Sequence, residues 1–384
     1  MRKNKNNLSK LPLTISAQYG LVDQITFFNK VVASIDMSNY YLLKKGEFAY
    51  NKSYSSDYPW GAIKRLNNYE QGALSSLYIC FAPQDNVESD FILQYFESPK
   101  WHKSVSEIAV EGARNHGLLN ISVQDFFHTY HYIPKDKKEQ SKIAKLLMLL
   151  DERIATQNKI IEDLKKLKSA IIDDVFCSPE QHEPKRRFKG CYVPLSTYKM
   201  KDFCYRITDK NRDNKCSQVL TIAAHYGLVD QESFFHKSVA SENLAGYYIL
   251  EKGDFAYNRS YSSGYAWGAV KRLNIYSKGV LSTLYICFRI NESVVNSDYL
   301  SYYFESTKWH KGVSDVSGEG ARNHGLLNIS VTDYFNTKHH FAVIAEQKRI
   351  ASMLNAITIK EQNAIDLEKL YSKQKQYLLR QMFI

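Results

Sequence analysis

The stretch FAYNKSYSSDYPWGAIKRL at residues 48–66 returns as FAYNRSYSSGYAWGAVKRL at residues 255–273. A match of this length marks an internal repeat, so the fold is one unit built twice. Working outward, TISAQYGLVDQ (14–24) matches TIAAHYGLVDQ (221–231), and LSSLYICF (74–81) matches LSTLYICF (281–288). After one inserted residue YFESPKWHK (95–103) matches YFESTKWHK (303–311), and EGARNHGLLNISV (111–123) recurs unchanged at 319–331. Within each copy short apolar and aromatic runs are broken by Gly, Asn and Ser, the pattern of strands and turns. Helical spacing is confined to residues 89–103, through Phe91, Ile92, Tyr95 and Phe96. Each copy therefore reads as an α+β globule.

At Pro134 the texture changes. Residues 139–176 contain no Gly or Pro, and Ile143, Leu147, Leu150, Ile154, Ile161, Leu164, Ile171 and Val175 recur at coiled-coil spacing. Asp136 followed by Glu139 opens this helix as a capping box does, and Pro179 marks its stop. A helix of this length spans roughly 57 Å at about 1.5 Å per residue. The second copy ends alike: EQKRIASMLNAI (346–357) answers EQSKIAKLLMLL (139–150). Its seam runs through Ile350, Leu354, Ile357, Ala364, Tyr371 and Leu378, with Glu361, Glu368 and Lys375 at the remaining positions. Two such helices in one chain pair with each other at an effective concentration that a free partner does not reach. The spacing predicts an antiparallel pair with a globule at each end. Residues 179–218 have no N-terminal counterpart. Their basic start reads as a linker, and their Tyr, Phe and Ile residues as one or two further strands of the second globule.

The whole-chain totals narrow the partner. Of 384 residues, 44% are hydrophobic and 24% charged, which is the balance of a globular protein. A formal charge of +11 and a pI near 9.1 favour a polyanion over an acidic small substrate. No apolar run of membrane-spanning length and no signal-peptide core is present, so a cytoplasmic protein with no membrane role is expected. Cys80 and Cys287 lie inside apolar runs and read as small buried side chains. Cys177, Cys191, Cys204 and Cys216 show no CxxC spacing, so reduced thiols and no metal site are expected. The chain has no GxxxxGK[ST] phosphate loop, no Pro-Pro pair, no HExxH and no GxSxG. No catalytic residue and no cofactor site is therefore assigned.

What recurs is a mixture of basic, amide, hydroxyl and aromatic groups around turns. Asn51, Lys52, Ser53, Tyr54, Trp60, Lys64 and Arg65 correspond to Asn258, Arg259, Ser260, Tyr261, Trp267, Lys271 and Arg272. Such a set suits DNA: Lys and Arg neutralise phosphates, Ser and Tyr donate to them, and Asn or Arg reads base edges. The alternative is a turn in which Asn and Ser bond their own backbone while Trp and Tyr cover a core edge. Arg114 and Asn115, repeated as Arg322 and Asn323, follow a Gly and offer a second place for phosphate to approach; an Arg paired with Glu111 or Glu319 is the structural alternative. His102 and His310 have no companion at metal-ligand spacing and read as surface or half-buried residues.

Taken in order, GEFAYNKSYSS (46–56), LYICF, GARNHGLLN and a Glu-Gln-x-x-Ile helix entry, all repeated, resemble the specificity subunit of type I restriction-modification systems. The resemblance implies target recognition domains at 1–134 and 179–344 and spacer helices at 135–178 and 345–384, related by a pseudo-twofold axis. It further implies that each domain reads half of a split double-stranded DNA sequence. The helices would dock two methyltransferase subunits, and restriction and motor subunits would join them. This subunit would itself be non-catalytic and without a cofactor. The assembled complex would be an S-adenosylmethionine-dependent adenine DNA methyltransferase and ATP-dependent endonuclease. Three departures stand out. The first domain lacks a counterpart of residues 186–218 and is the shortened one. Phe341 and Ala342 replace Ile133 and Pro134 before the second helix. The two recognition domains are close copies, where the family usually carries unrelated ones, so the expected target is gapped and nearly palindromic. A self-contained DNA-modifying or nuclease enzyme on duplicated domains, and a coiled-coil scaffold without a DNA role, are the competing readings.

Overall fold

A computed structural model describes residues 2–109, 117–224, 226–237, 240–241, 243–260, 264–317, 322–323 and 326–383, with backbone alone at 322, 323 and 326. The chain divides into two compact units, one formed by Met1–Lys159 with Ile365–Ile384, the other by Ile160–Ala364. Both are α+β.

In the first unit two sheets are stacked, and helices cover the inner one. The outer sheet orders its strands Gly20–Asp23, Pro12–Ser16, Gln71–Leu74, Tyr41–Lys44. Its one parallel pairing is Pro12–Ser16 on Gln71–Leu74. The inner sheet is antiparallel, with Phe48–Asn51 between Ala62–Arg65 and Ile79–Phe81. Side chains alternate along a strand, and this strand uses both faces. Phe48 and Tyr50 join Ile79 in the cluster under the helices, while Ala49 and Cys80 join Leu13, Ile15 and Leu74 between the sheets. Burial on both faces is why FAY and YICF read as continuous apolar runs rather than alternating ones. The residues facing the second sheet are small, and the aromatic ones face the helices. Ser89–Glu97, His102–Ile108 and Val123–Phe127 make up that helical layer. The helical stretch read at 89–103 is thus two helices, broken at Ser98–Pro99.

The second unit repeats the plan. Phe255, Tyr257, Ile286 and Phe288 face the helical side, and Ala256 and Cys287 face the other sheet. It adds two strands drawn from the segment that follows the linker. Cys204–Arg206 pairs with Ile286–Ile290, and Ser196–Lys199 pairs with Lys338–Phe341.

The long helices are Lys137–Val175 and Ile344–Gln381, of 39 and 38 residues. Each unit contains a stretch of both, and within each the two run antiparallel. In the first unit Asp151 pairs with Lys375, and Arg153 lies over the Tyr371 ring at 5.8 Å. In the second, Lys168 pairs with Glu361 at 2.9 Å. Leu147, Leu150, Ile161, Ile350, Leu354 and Ala364 of the expected seam are buried. The polar seam residues Glu361 and Lys375 therefore sit in the seam with charged partners opposite. Gln140 holds the first helix to its globule, donating to Pro134 O at 2.7 Å and accepting from Glu88 N at 2.8 Å. Gln347 repeats this with Ala342 O and Asn296 N, both at 2.8 Å. Among the described residues no helix is long and apolar enough to cross a membrane.

Candidate nucleic-acid interface

The duplicated loop leaves the central strand of the inner sheet at Asn51 and at Asn258. The amide oxygen of Asn51 accepts from Ser53 N at 3.0 Å, and that of Asn258 from Ser260 N at 2.9 Å. Each Asn thereby turns the chain with its own side chain. The loop is then laced to the chain that follows the Gly-Ala-Arg-Asn-His motif. Leu119 N donates to Lys52 O at 2.9 Å, Tyr54 N donates to Gly117 O at 3.0 Å, and Ser53 bridges to Leu118. In the second unit Leu327 N donates to Arg259 O at 3.0 Å. The two stretches singled out in the sequence thus converge in each unit.

Of the basic residues, Lys52 and Arg259 brace this junction, and the others are held elsewhere in their units. Lys52 Nζ donates to Ile121 O at 3.2 Å, and Arg259 donates to Ile329 O at 2.9 Å and Leu284 O at 3.3 Å. Lys64, only 9% exposed, pairs with Glu97 at 2.7 Å. Arg65 bonds Asp90 at 2.6 Å and Asn67 at 2.7 Å, and Arg272 bonds Asp298 and Asn274, both at 2.7 Å. Lys271 stands 5.8 Å over the Tyr265 ring, and burial pulls its pKa down against the opposing pull of Glu305. Trp60 and Trp267 pack against the cores, and their carbonyls accept the hydroxyls of Tyr50 at 2.8 Å and Tyr257 at 2.9 Å. Tyr54 likewise packs on its core. Ser53 and Ser260 remain exposed. Arg114, Asn115 and Tyr261 lie outside the described residues. Arg322 and Asn323 form a two-residue strand paired with Leu326–Leu327, described in backbone only.

Gly61 and Gly268 explain the Trp-Gly pair in each motif. Both have φ of +77°, and a Cβ there would lie 2.1 Å from the carbonyl oxygen of Asn51 or Asn258. A side chain at this position drives the loop off its strand.

Sequence reasoning missed an exposed aromatic set that the structure repeats. Tyr19, Phe27 and Phe28 are matched by Tyr226, Phe234 and Phe235, all substantially exposed. Tyr19 meets Phe27 edge-on at 6.4 Å, as Tyr226 meets Phe234 at 6.4 Å. Asp23 and Asp230 cap the short helices that present the Phe pairs. In the second unit Tyr265 donates to Ala224 O at 3.0 Å, which ties this hairpin to the loop after Asn258. The signal was in the repeat itself: the Phe pair and the Tyr survive in both copies without belonging to either core. His102 and His310 are half-buried, and burial lowers their pKa.

No protein-family model matches the chain, and no curated protein matches it. Solved structures do. The S subunit of a type I restriction-modification system from M. genitalium aligns over 92% of this chain and 87% of its own, at 14% identity and a TM-score of 0.51. A chain from a structure describing complex assembly and conformational transition of the type I R-M system aligns over 88% and 82%, at 13% identity and a TM-score of 0.51. The HsdS subunit from Thermoanaerobacter tengcongensis aligns over 89% and 81%, at 14% identity and a TM-score of 0.47. The chain is similar to type I specificity subunits. It shares the fold of two α+β units served by two long helices.

Proposed function

We propose that this chain is the DNA-recognition subunit of a type I restriction-modification complex, itself without catalytic chemistry. Each unit reads one half of a split target, and the paired helices dock methyltransferase subunits, with restriction and motor subunits added to the assembly. The observation that carries this reading is the loop at Asn51 and Asn258, whose described residues make the same Asn turn and the same backbone bond to the chain after the second motif in two units of a fold shared with S subunits. In this reading the exposed hydroxyls and amides of the loop contact DNA directly. The internally paired Arg65 and Arg272 hold the reading surface in shape. The exposed Tyr and Phe residues lie against sugars and bases.

Close copies of one reader recognise nearly the same half-site, and dimeric readers bind such sites with a two-fold symmetry that the target mirrors. The expected target is a gapped, near-palindromic sequence. Mapping methylated adenines in a host carrying this chain with a methyltransferase subunit tests it; two unrelated half-sites would refute the symmetric reading. Methylation or cleavage of DNA by the purified chain alone would refute the non-catalytic assignment.

A further inference from the structure

Two Phe rings stand outside the core in each unit, and they do so in the same way. Phe28 and Phe235 are both 44% exposed, and their neighbours Phe27 and Phe234 are 43% and 41% exposed. Large apolar side chains held in water by a built support mark a contact surface. The support is duplicated. The short helix Gln24–Phe28 starts on Asp23, whose carboxylate accepts Ile25 N at 3.0 Å and the Thr26 hydroxyl at 2.6 Å. Gln231–Phe235 starts on Asp230, which accepts Ser233 N at 2.7 Å and the Gln218 amide at 2.6 Å. Both helices close on a left-handed residue, Asn29 with φ of 50° and His236 with φ of 54°, so the second Phe is the last helical side chain. Within each pair the rings meet edge-on at 5.0 Å, with interplanar angles of 78° and 82°. Tyr19 and Tyr226 back the first ring of each pair. Phe28 and Phe235 therefore end their rows, and among the described residues each meets no ring but its neighbour.

The charge around these rings narrows what they meet. Residues 17–28 and 224–235 contain no Lys or Arg, and they carry Asp23 in one copy and Asp230 with Glu232 in the other. A surface of that sign is not drawn to phosphates, so its contact with DNA has to be made by apolar side chains that reach past the backbone. The first cation, Lys30 or Lys237, comes two residues beyond the last ring and is exposed in both units.

Resting on the DNA-recognition reading above, we infer that Phe28 and Phe235 are wedges. Each enters between two base pairs of its half-site and opens that step, with Lys30 or Lys237 on an adjoining phosphate. Apolar side chains inserted in this way unstack a step and kink the duplex by about 20–90°. Pyrimidine–purine steps open most easily, so each half-site has one where the ring enters. Fixed capping and ring packing hold the wedge ready before DNA arrives. In the second unit the bond from Tyr265 to Ala224 O sets it relative to the loop at Asn258.

The probe is a duplex of the sequence found by adenine-methylation mapping, with a donor and an acceptor dye at its ends, added to the full-length protein. Anisotropy reads binding, and energy transfer reads the bend. The parent protein should shorten the end-to-end distance as it binds. Phe28→Ala and Phe235→Ala should each remove part of the bend and weaken binding by about tenfold, within the range of one base–aromatic contact. The double variant should leave the duplex nearly straight. Phe28→Leu should keep the bend, since Leu can wedge a step but has no ring to stack. Parent binding without a bend, or a bend that survives in the double variant, overturns the wedge and leaves the recognition reading standing. A Leu variant that behaves like the Ala variant also overturns it and makes the rings stacking platforms. Absence of any binding by the parent removes both readings.

Discussion

His339 sits between two hydroxyls. Its Nδ1 is 3.0 Å from Tyr303 Oη and its Nε2 is 2.8 Å from Thr337 Oγ1. The Thr337 hydroxyl already gives its proton to Tyr334 O at 2.7 Å, so it accepts from Nε2, and Tyr303 donates to Nδ1. The neutral ring is fully satisfied, and a second proton on Nδ1 would have to turn the Tyr303 hydroxyl's own proton away. Burial accordingly pushes its pKa down to about 3, helped by neighbouring His340. His131 repeats the arrangement with Tyr95 at 3.0 Å and Thr129 at 2.9 Å, and burial lowers it too. Between the ordinary histidine value and the folded one, the unfolded chain takes up the proton and the folded chain does not. The stabilisation is complete above about pH 6.5 and is lost as pH falls toward 3, at about 1.4 kcal/mol per pH unit for His339. Urea titrations from pH 7 to 4 should show a shallower loss for His339→Gln than for the parent; equal slopes would remove His339 as the cause. Neither histidine was legible in the sequence, because the Tyr that fixes each ring is 36 residues away. The same limit applies to Arg65 and Arg272. A Lys-Arg pair at a strand end reads as a phosphate contact until the Asp 25 or so residues on is brought beside it.

Elements were far more legible than side chains. The helix expected between its opening at Asp136 and its stop at Pro179 is found at Lys137–Val175, because a long Gly- and Pro-free heptad pattern constrains every turn. One or two strands were expected between the linker and the second repeat, and two are found, Ser196–Lys199 and Cys204–Arg206. The short helices at Gln24–Phe28 and Val123–Phe127 were not read, since five residues carry no periodicity. The repeated Glu-Gln at each long helix start was visible but its work was not. Gln140 and Gln347 are both 1% exposed and satisfy loop backbone on either side of the helix entry. Truncating either leaves buried N–H and C=O groups unpaired, at about 1–3 kcal/mol for each group so stranded. Gln140→Ala and Gln347→Ala should each lower the urea midpoint. Faster amide exchange is expected at Glu88 in the first variant and at Asn296 in the second. A variant with parent-like stability would mean that water replaces the side chain.

On the scale of the whole molecule, each unit is completed by chain from far away in sequence. Phe383, at the end of the second long helix, packs on Phe91 at 5.4 Å and Tyr95 at 5.6 Å in the first unit. Phe176, at the end of the first, packs on Tyr299 at 4.9 Å and Tyr303 at 5.6 Å in the second. The repeat places these two Phe residues at equivalent positions, so each globule receives an aromatic plug from a helix that begins with the other globule's residues. Removing a plug empties a core site and costs about 3–5 kcal/mol. Because the plugged clusters belong to separate units, the two losses fall on different residues. Phe383→Ala should speed amide exchange through Ser89–Glu97 and leave Ser297–Glu305 at parent rates, and Phe176→Ala should do the reverse. Equal loosening of both helices by either change would show that the units unfold as one body, and the reading of two separately completed halves would fall with it.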